Sequence, residues 1–193
     1  VVVSFASLVP GFRARMAVAF ALVLSAVALA SPASAAVPER RVALVIGNSA
    51  YTAVPPLANP QRDAKGISAA LKRLGFDVVE GYDLKMDAMT GIVREFAQKL
   101  DGAKAGLVYY AGHGMQYRGE NYLMPVDAKL EDEFSLNFEL TRLDDVLFGL
   151  ERANGVKVLI LDACRDNPLL QHLLRTTKTA TRDLAPTRGL AKI

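Results

Sequence analysis

Val156-Lys157-Val158-Leu159-Ile160-Leu161-Asp162-Ala163-Cys164 is a run of aliphatic and β-branched residues that opens after Gly155 and gives out at Arg165-Asp166-Asn167-Pro168. Such a run, bounded by a glycine and an Asn-Pro step, reads as a strand buried on both faces. Cys164 stands at its exit and is the single cysteine of the 193-residue chain. A second run, Gly106-Leu107-Val108-Tyr109-Tyr110-Ala111, ends on Gly112-His113-Gly114. If the two are parallel neighbours, their carboxyl ends lie about 5 Å apart. The thiol and the imidazole then share one rim of a sheet.

The rest of the chain supports such a sheet. Arg41-Val42-Ala43-Leu44-Val45-Ile46-Gly47 is a third continuously apolar run, followed by a loop, Asn48 to Gln61, in which Pro55, Pro56 and Pro60 argue against helix. A helix is expected from Asp63 to about Leu74, with Ile67, Ala70, Leu71 and Leu74 on one face and Gly75 as its stop. Phe76 to Glu80 alternates like an edge strand, and Asp87 to Leu100 repeats apolar residues at helical spacing. Met115-Gln116-Tyr117 and Asn121 to Met124 flank Arg118-Gly119-Glu120 and predict a small hairpin. An acidic loop, Glu131-Asp132-Glu133, leads to a helix near Leu143 to Arg152. Strands alternating with helices predict an α/β fold of three layers, α-β-α, with a mainly parallel sheet and its site outside the strands' carboxyl ends.

The composition is globular, with 51% hydrophobic and 22% charged residues. The formal charge of +3 belongs to the chain's ends: Arg13 and Arg15 lie before the body, and from Arg165 onward six Lys or Arg face two acids. The body from Ala36 to Cys164 is therefore net acidic, which speaks against a nucleic-acid partner. Residues 1–36 read as a signal peptide or N-terminal tether. Arg13 and Arg15 precede an apolar stretch, Met16 to Ala30, and Ala33-Ser34-Ala35 fits a cleavage site. Export, to the periplasm or outside the cell, is the expectation, with membrane attachment only if the segment is retained. In an oxidising compartment a lone cysteine cannot pair within its chain. It is either an inert buried hydrophobe or a thiol kept for its reactivity.

A free thiol has a pKa near 8.5, and an adjacent imidazole raises the thiolate fraction or takes the proton during attack. Cys164 as nucleophile and His113 as base suit acyl transfer, with the Gly114 and Cys164 amides as an oxyanion hole. The glycines flanking His113 suggest a tight bend there. His172, the other histidine, follows Leu169-Leu170 and is given no role. Two histidines and one cysteine without zinc spacing provide no metal site, and Glu131 to Glu133 lacks a calcium-loop pattern. No cofactor is called for.

Tyr109-Tyr110-Ala111-Gly112-His113-Gly114 and Asp162-Ala163-Cys164-Arg165 resemble the His and Cys motifs of the caspase-like cysteine peptidases, with the nearer likeness to bacterial caspase-family proteins and metacaspases. Arg41 to Tyr51, Asp63-Ala64 and Tyr122 to Ala128 resemble further blocks of that group. The resemblance implies a caspase-hemoglobinase fold and a cysteine endopeptidase acting on protein or peptide substrates. It also implies an acidic substrate pocket for Arg or Lys, whose carboxylates match Asp63 and Asp162. The alternatives are a helix cap for Asp63 and a strand-end carboxylate for Asp162. Asp162 and Asp166 replace the Gln and Gly of the caspase motif, so aspartate specificity is not expected. Calcium activation follows from the resemblance alone. By the same likeness the catalytic domain spans 37–175 as a large-subunit portion, and a basic, mobile linker 176–193 follows. Arg175, Lys178, Arg182 and Arg188 are candidate self-cleavage sites. The family's small-subunit strands are expected as a missing C-terminal partner segment. The rival reading is a caspase-like binding or scaffold module without turnover, or a half-domain inactive without that segment.

Overall fold

The computed structural model describes residues 39–164, with Cys164 described by its backbone. The expected leader, His172 and the basic linker lie outside the described residues. Six strands alternate with helices: β1 (Arg41–Gly47), α1 (Pro60–Arg73), β2 (Asp77–Tyr82), α2 (Met86–Lys99), β3 (Ala105–Tyr117), β4 (Glu120–Leu123), α3 (Leu136–Glu139), β5 (Thr141–Arg142), α4 (Leu143–Leu150) and β6 (Val156–Cys164). β1 lies between β2 and β3, parallel to both, and β6 runs parallel to β3. The far end of β3 pairs antiparallel with β4, and β4 with β5. The sheet is mixed and mostly parallel, as the alternating elements imply.

Period-two alternation sorts β1 and β3 into two cores. Val42, Leu44, Ile46, Val108 and Tyr110 meet Met89 and Phe96 of α2, Leu100 at its C-terminal cap, and Leu143, Val146 and Leu150 of α4. Ala43, Val45, Tyr109 and Ala111 meet Ala64 and Leu71 of α1 on the other face. This is the expected three-layer arrangement. Each fully buried large side chain of this set contributes on the order of 1.5–3 kcal/mol relative to exposure. β6 departs from the reading of a strand buried on both faces. Leu159, Leu161 and Ala163 pack toward α2 and α4, while Val156, Val158 and Ile160 are exposed on its other side.

One helix boundary also differs from expectation. α1 begins at Pro60, three residues before Asp63. Proline suits the first helical position, where no intrahelical N–H bond is lost, so the residue taken as a helix breaker is a helix starter. Gly47 lets that first turn lie on the end of β1, since a Cβ there would stand 2.6 Å from the Pro60 carbonyl and from Ala64 Cβ. The hairpin falls where the pattern put it. Arg118 and Gly119, with φ of 49° and 84°, supply the two left-handed residues of a two-residue turn.

Candidate functional site

His113 is not at a strand end. β3 continues through it to Tyr117, and the strand changes partners there: Ala105 to His113 pair with β6, and Gly114 to Tyr117 with β4. Gly112 is required for space. A Cβ on it would lie 2.5 Å from Tyr51 Oη and 2.8 Å from Tyr110 Oη. The glycine before His113 therefore admits two phenol hydroxyls into the sheet, where a bend was expected.

Those hydroxyls hold the His113 backbone. The His113 N–H donates to Tyr51 Oη at 2.7 Å, and Tyr110 Oη donates to the His113 carbonyl at 2.6 Å. The Met124 N–H donates to Tyr110 Oη at 3.1 Å and also lies 3.1 Å from the His113 carbonyl. Burial, and then its neighbour Tyr51, push the Tyr110 phenol pKa well up, so the hydroxyl keeps its proton. The imidazole is buried against the Tyr51 ring, with centroids 4.5 Å apart. Its Nε2 lies 3.0 Å from the Pro55 carbonyl. A carbonyl only accepts, so Nε2 carries a proton, and the tautomer this contact selects for the neutral ring has its lone pair on Nδ1.

Both Tyr51 and Pro55 come from the loop after β1, which side chains pin down. Asp83 accepts the N–H groups of Ser49 (2.7 Å) and Ala50 (2.9 Å) and the Gln61 side-chain amide (3.0 Å). Asn48, fully buried, donates to the Met124 carbonyl at 3.0 Å and accepts the Leu84 N–H at 2.9 Å. Asn48, Tyr51, Pro55 and Asp83 carry structural work that hydrophobic periodicity does not mark. The Gly-Asn-Ser-Ala-Tyr step at the end of β1 was the available signal.

Cys164 is the register partner of His113 across β3 and β6. The juxtaposition expected of the two runs is thus present in the backbone ladder. Two residues earlier, Asp162 is paired with Ala111 and is exposed. Asp63 lies in the first turn of α1 without capping it, and forms an ion pair with exposed Arg62 at 3.4 Å. Burial and then the carboxylates of Asp162 and Asp63 push the Tyr109 phenol pKa up, so both acids act on one buried ring. Gly114 is opposite Leu123. The Met124 N–H bond to the His113 carbonyl makes that pair the non-hydrogen-bonded kind, which directs the Gly114 N–H away from β4.

The acidic loop serves its own neighbourhood. Asp132 accepts the Ser135 N–H at 2.9 Å, and Glu133 pairs with Arg118. Among the described residues no group of three His, Cys, Asp or Glu is gathered to hold a metal ion, and no helix is long and apolar enough to cross a membrane.

A family model, the Caspase domain, matches residues 40–188 and so takes in β1 with its loop, His113 and Cys164. The chain belongs to the caspase-domain family. Among similar proteins, the mouse Mucosa-associated lymphoid tissue lymphoma translocation protein 1 homolog is 36% identical over 125 residues, and its human counterpart matches to the same extent. The matched stretch is 65% of this chain and 15% of either relative, so the caspase domain described here spans a small part of those longer proteins.

Proposed function

We propose that this caspase domain is a cysteine endopeptidase that cleaves after Arg or Lys through a Cys164–His113 dyad. One observation carries the reading: His113, with Nε2 committed to the Pro55 carbonyl, stands in register with Cys164 across a parallel ladder. Nδ1 takes the thiol proton as sulfur attacks the substrate carbonyl. The terminal β3–β6 rung engages the Gly114 and Cys164 N–H groups with the Cys164 and Gly112 carbonyls. These N–H groups hold the oxyanion once substrate opens that rung, worth about 3 kcal/mol in comparable sites. Collapse breaks the C–N bond, and the imidazolium returns its proton to the leaving amine. Water then enters, gives a proton to His113 and attacks the thioester carbonyl; the C–S bond breaks, and the imidazolium returns the proton to the Cys164 sulfur. Asp63 and Asp162, which both bear on Tyr109, provide negative charge for a basic side chain. The reaction needs no cofactor, and the leader-like residues 1–36 assign it to an exported protein.

Fluorogenic peptides ending in Arg, Lys or Asp test this on the full chain. Cleavage of the basic peptides is expected, falling about 10³-fold or more in Cys164→Ala and His113→Ala. Selective cleavage after Asp would overturn the pocket assignment. Absence of any Cys164-dependent cleavage would favour the binding-module reading.

A further inference from the structure

Where β3 meets β4, regular antiparallel pairing would bond the His113 N–H to the Met124 carbonyl, reciprocating the Met124 N–H bond to the His113 carbonyl. The ladder is instead opened by a side chain. Tyr51 Oη takes the His113 N–H at 2.7 Å and lies 3.4 Å from the Met124 carbonyl, bridging the two groups that a plain ladder would join. Tyr110 Oη sits 3.4 Å from Tyr51 Oη and holds the His113 carbonyl. The same Tyr51 ring packs on the imidazole. One residue thus controls both the backbone and the ring plane of the candidate base.

From this geometry we propose that Tyr51 is a positioning residue for His113. Its hydroxyl replaces the Met124 carbonyl as acceptor of the His113 N–H at a rung whose other bond, Met124 N–H to the His113 carbonyl, is kept. It so holds the imidazole with Nε2 on the Pro55 carbonyl and leaves Nδ1 to serve the dyad. The proposal rests on the dyad reading. Without the hydroxyl, His113 N–H and Met124 C=O close onto each other in a regular rung. The backbone turns with them, and the base loses its aim while the fold persists. Positioning acts on the chemical step, and misplacement by about an ångström is enough to cost on the order of 10²-fold in rate.

The test compares wild type, Tyr51→Phe and His113→Ala as full chains. Two readouts are taken: kcat and KM on an Arg-terminated peptide, and the alkylation rate of Cys164 by iodoacetamide, which needs no substrate pocket. Tyr51→Phe is expected to lower kcat about 10- to 100-fold with KM within about twofold. Alkylation is expected to slow several-fold toward the His113→Ala value. Wild-type kcat and alkylation in folded Tyr51→Phe would overturn the positioning role and leave the dyad standing. A rate loss that only tracks the unfolded fraction would overturn it as well. If wild type and His113→Ala alkylate equally slowly, the dyad reading fails and takes the positioning role with it. Should Tyr51→Phe not fold, 2,3-difluorotyrosine at position 51 keeps ring and hydroxyl but weakens the acceptor. An intermediate kcat with unchanged KM then supports the proposal, and an unchanged kcat overturns it.

Discussion

His113 and Cys164 stand opposite one another on neighbouring strands, yet they are held by different means. His113 is fixed by side chains: two phenols on its backbone, a ring against its ring and a loop carbonyl on its Nε2. Cys164 owes its place to ladder register at the end of β6, whose Val156, Val158 and Ile160 are exposed on one face. In one corner the geometry depends on polar contacts brought from far along the chain. At the other it depends on backbone pairing that any strand-forming sequence of this length repeats. The first arrangement should be intolerant of small changes and the second tolerant.

The largest effect should come from Gly112→Ala. Its methyl enters the space of two hydroxyls, at 2.5 Å and 2.8 Å, in a fully packed corner. A stability loss of about 3 kcal/mol is expected by chemical denaturation, overpacking and a displaced phenol acting together. A loss below about 1 kcal/mol would mean that the phenols give way easily, and the contrast between the two corners would weaken. Next comes Asp83→Ala, which removes the acceptor of three bonds to the loop that carries Tyr51 and Pro55. About 2 kcal/mol should be lost, together with most of the peptide hydrolysis, because the loop sets the imidazole's partner. Asp83 also has φ of 50°, a backbone region that Asn tolerates better than Ala. Asp83→Asn should accordingly fall between the two. The smallest effect is expected at Ile160→Thr on the exposed side of β6, within about 0.5 kcal/mol of wild type by thermal unfolding. A loss near 2 kcal/mol there would reveal that this face is covered in the working protein.

Much of this architecture is legible as pattern. Three apolar runs, separated by helical periodicity, state a parallel sheet with helices on both sides: burial on two faces leaves no alternation in β1 and β3, whereas β6 reads alike in sequence and yet leaves one face exposed. The hairpin is legible in Arg118-Gly119, and the neighbouring placement of His113 and Cys164 in the ends of two matched runs. Pro60 misleads because proline forbids the inside of a helix and favours its first position, and the letter alone does not say which. Gly112-His113-Gly114 misleads in a similar way. Glycine there makes room for hydroxyls arriving from elsewhere in the chain, and the strand runs on. Tyr51, Pro55 and Asp83 leave no periodic trace, since each acts through one bond across a long sequence separation.

By itself, then, the sequence determined the layers, the direction of the strands and the candidate pair, since these follow from hydrophobic period and from which reactive side chains the chain possesses. The tertiary structure alone decided that β3 passes through His113, that phenols open the ladder beside it, and that the Pro55 carbonyl sets its tautomer. Those features depend on single directional hydrogen bonds between distant residues. Such bonds take their geometry from packing, and packing exists only once the chain has closed.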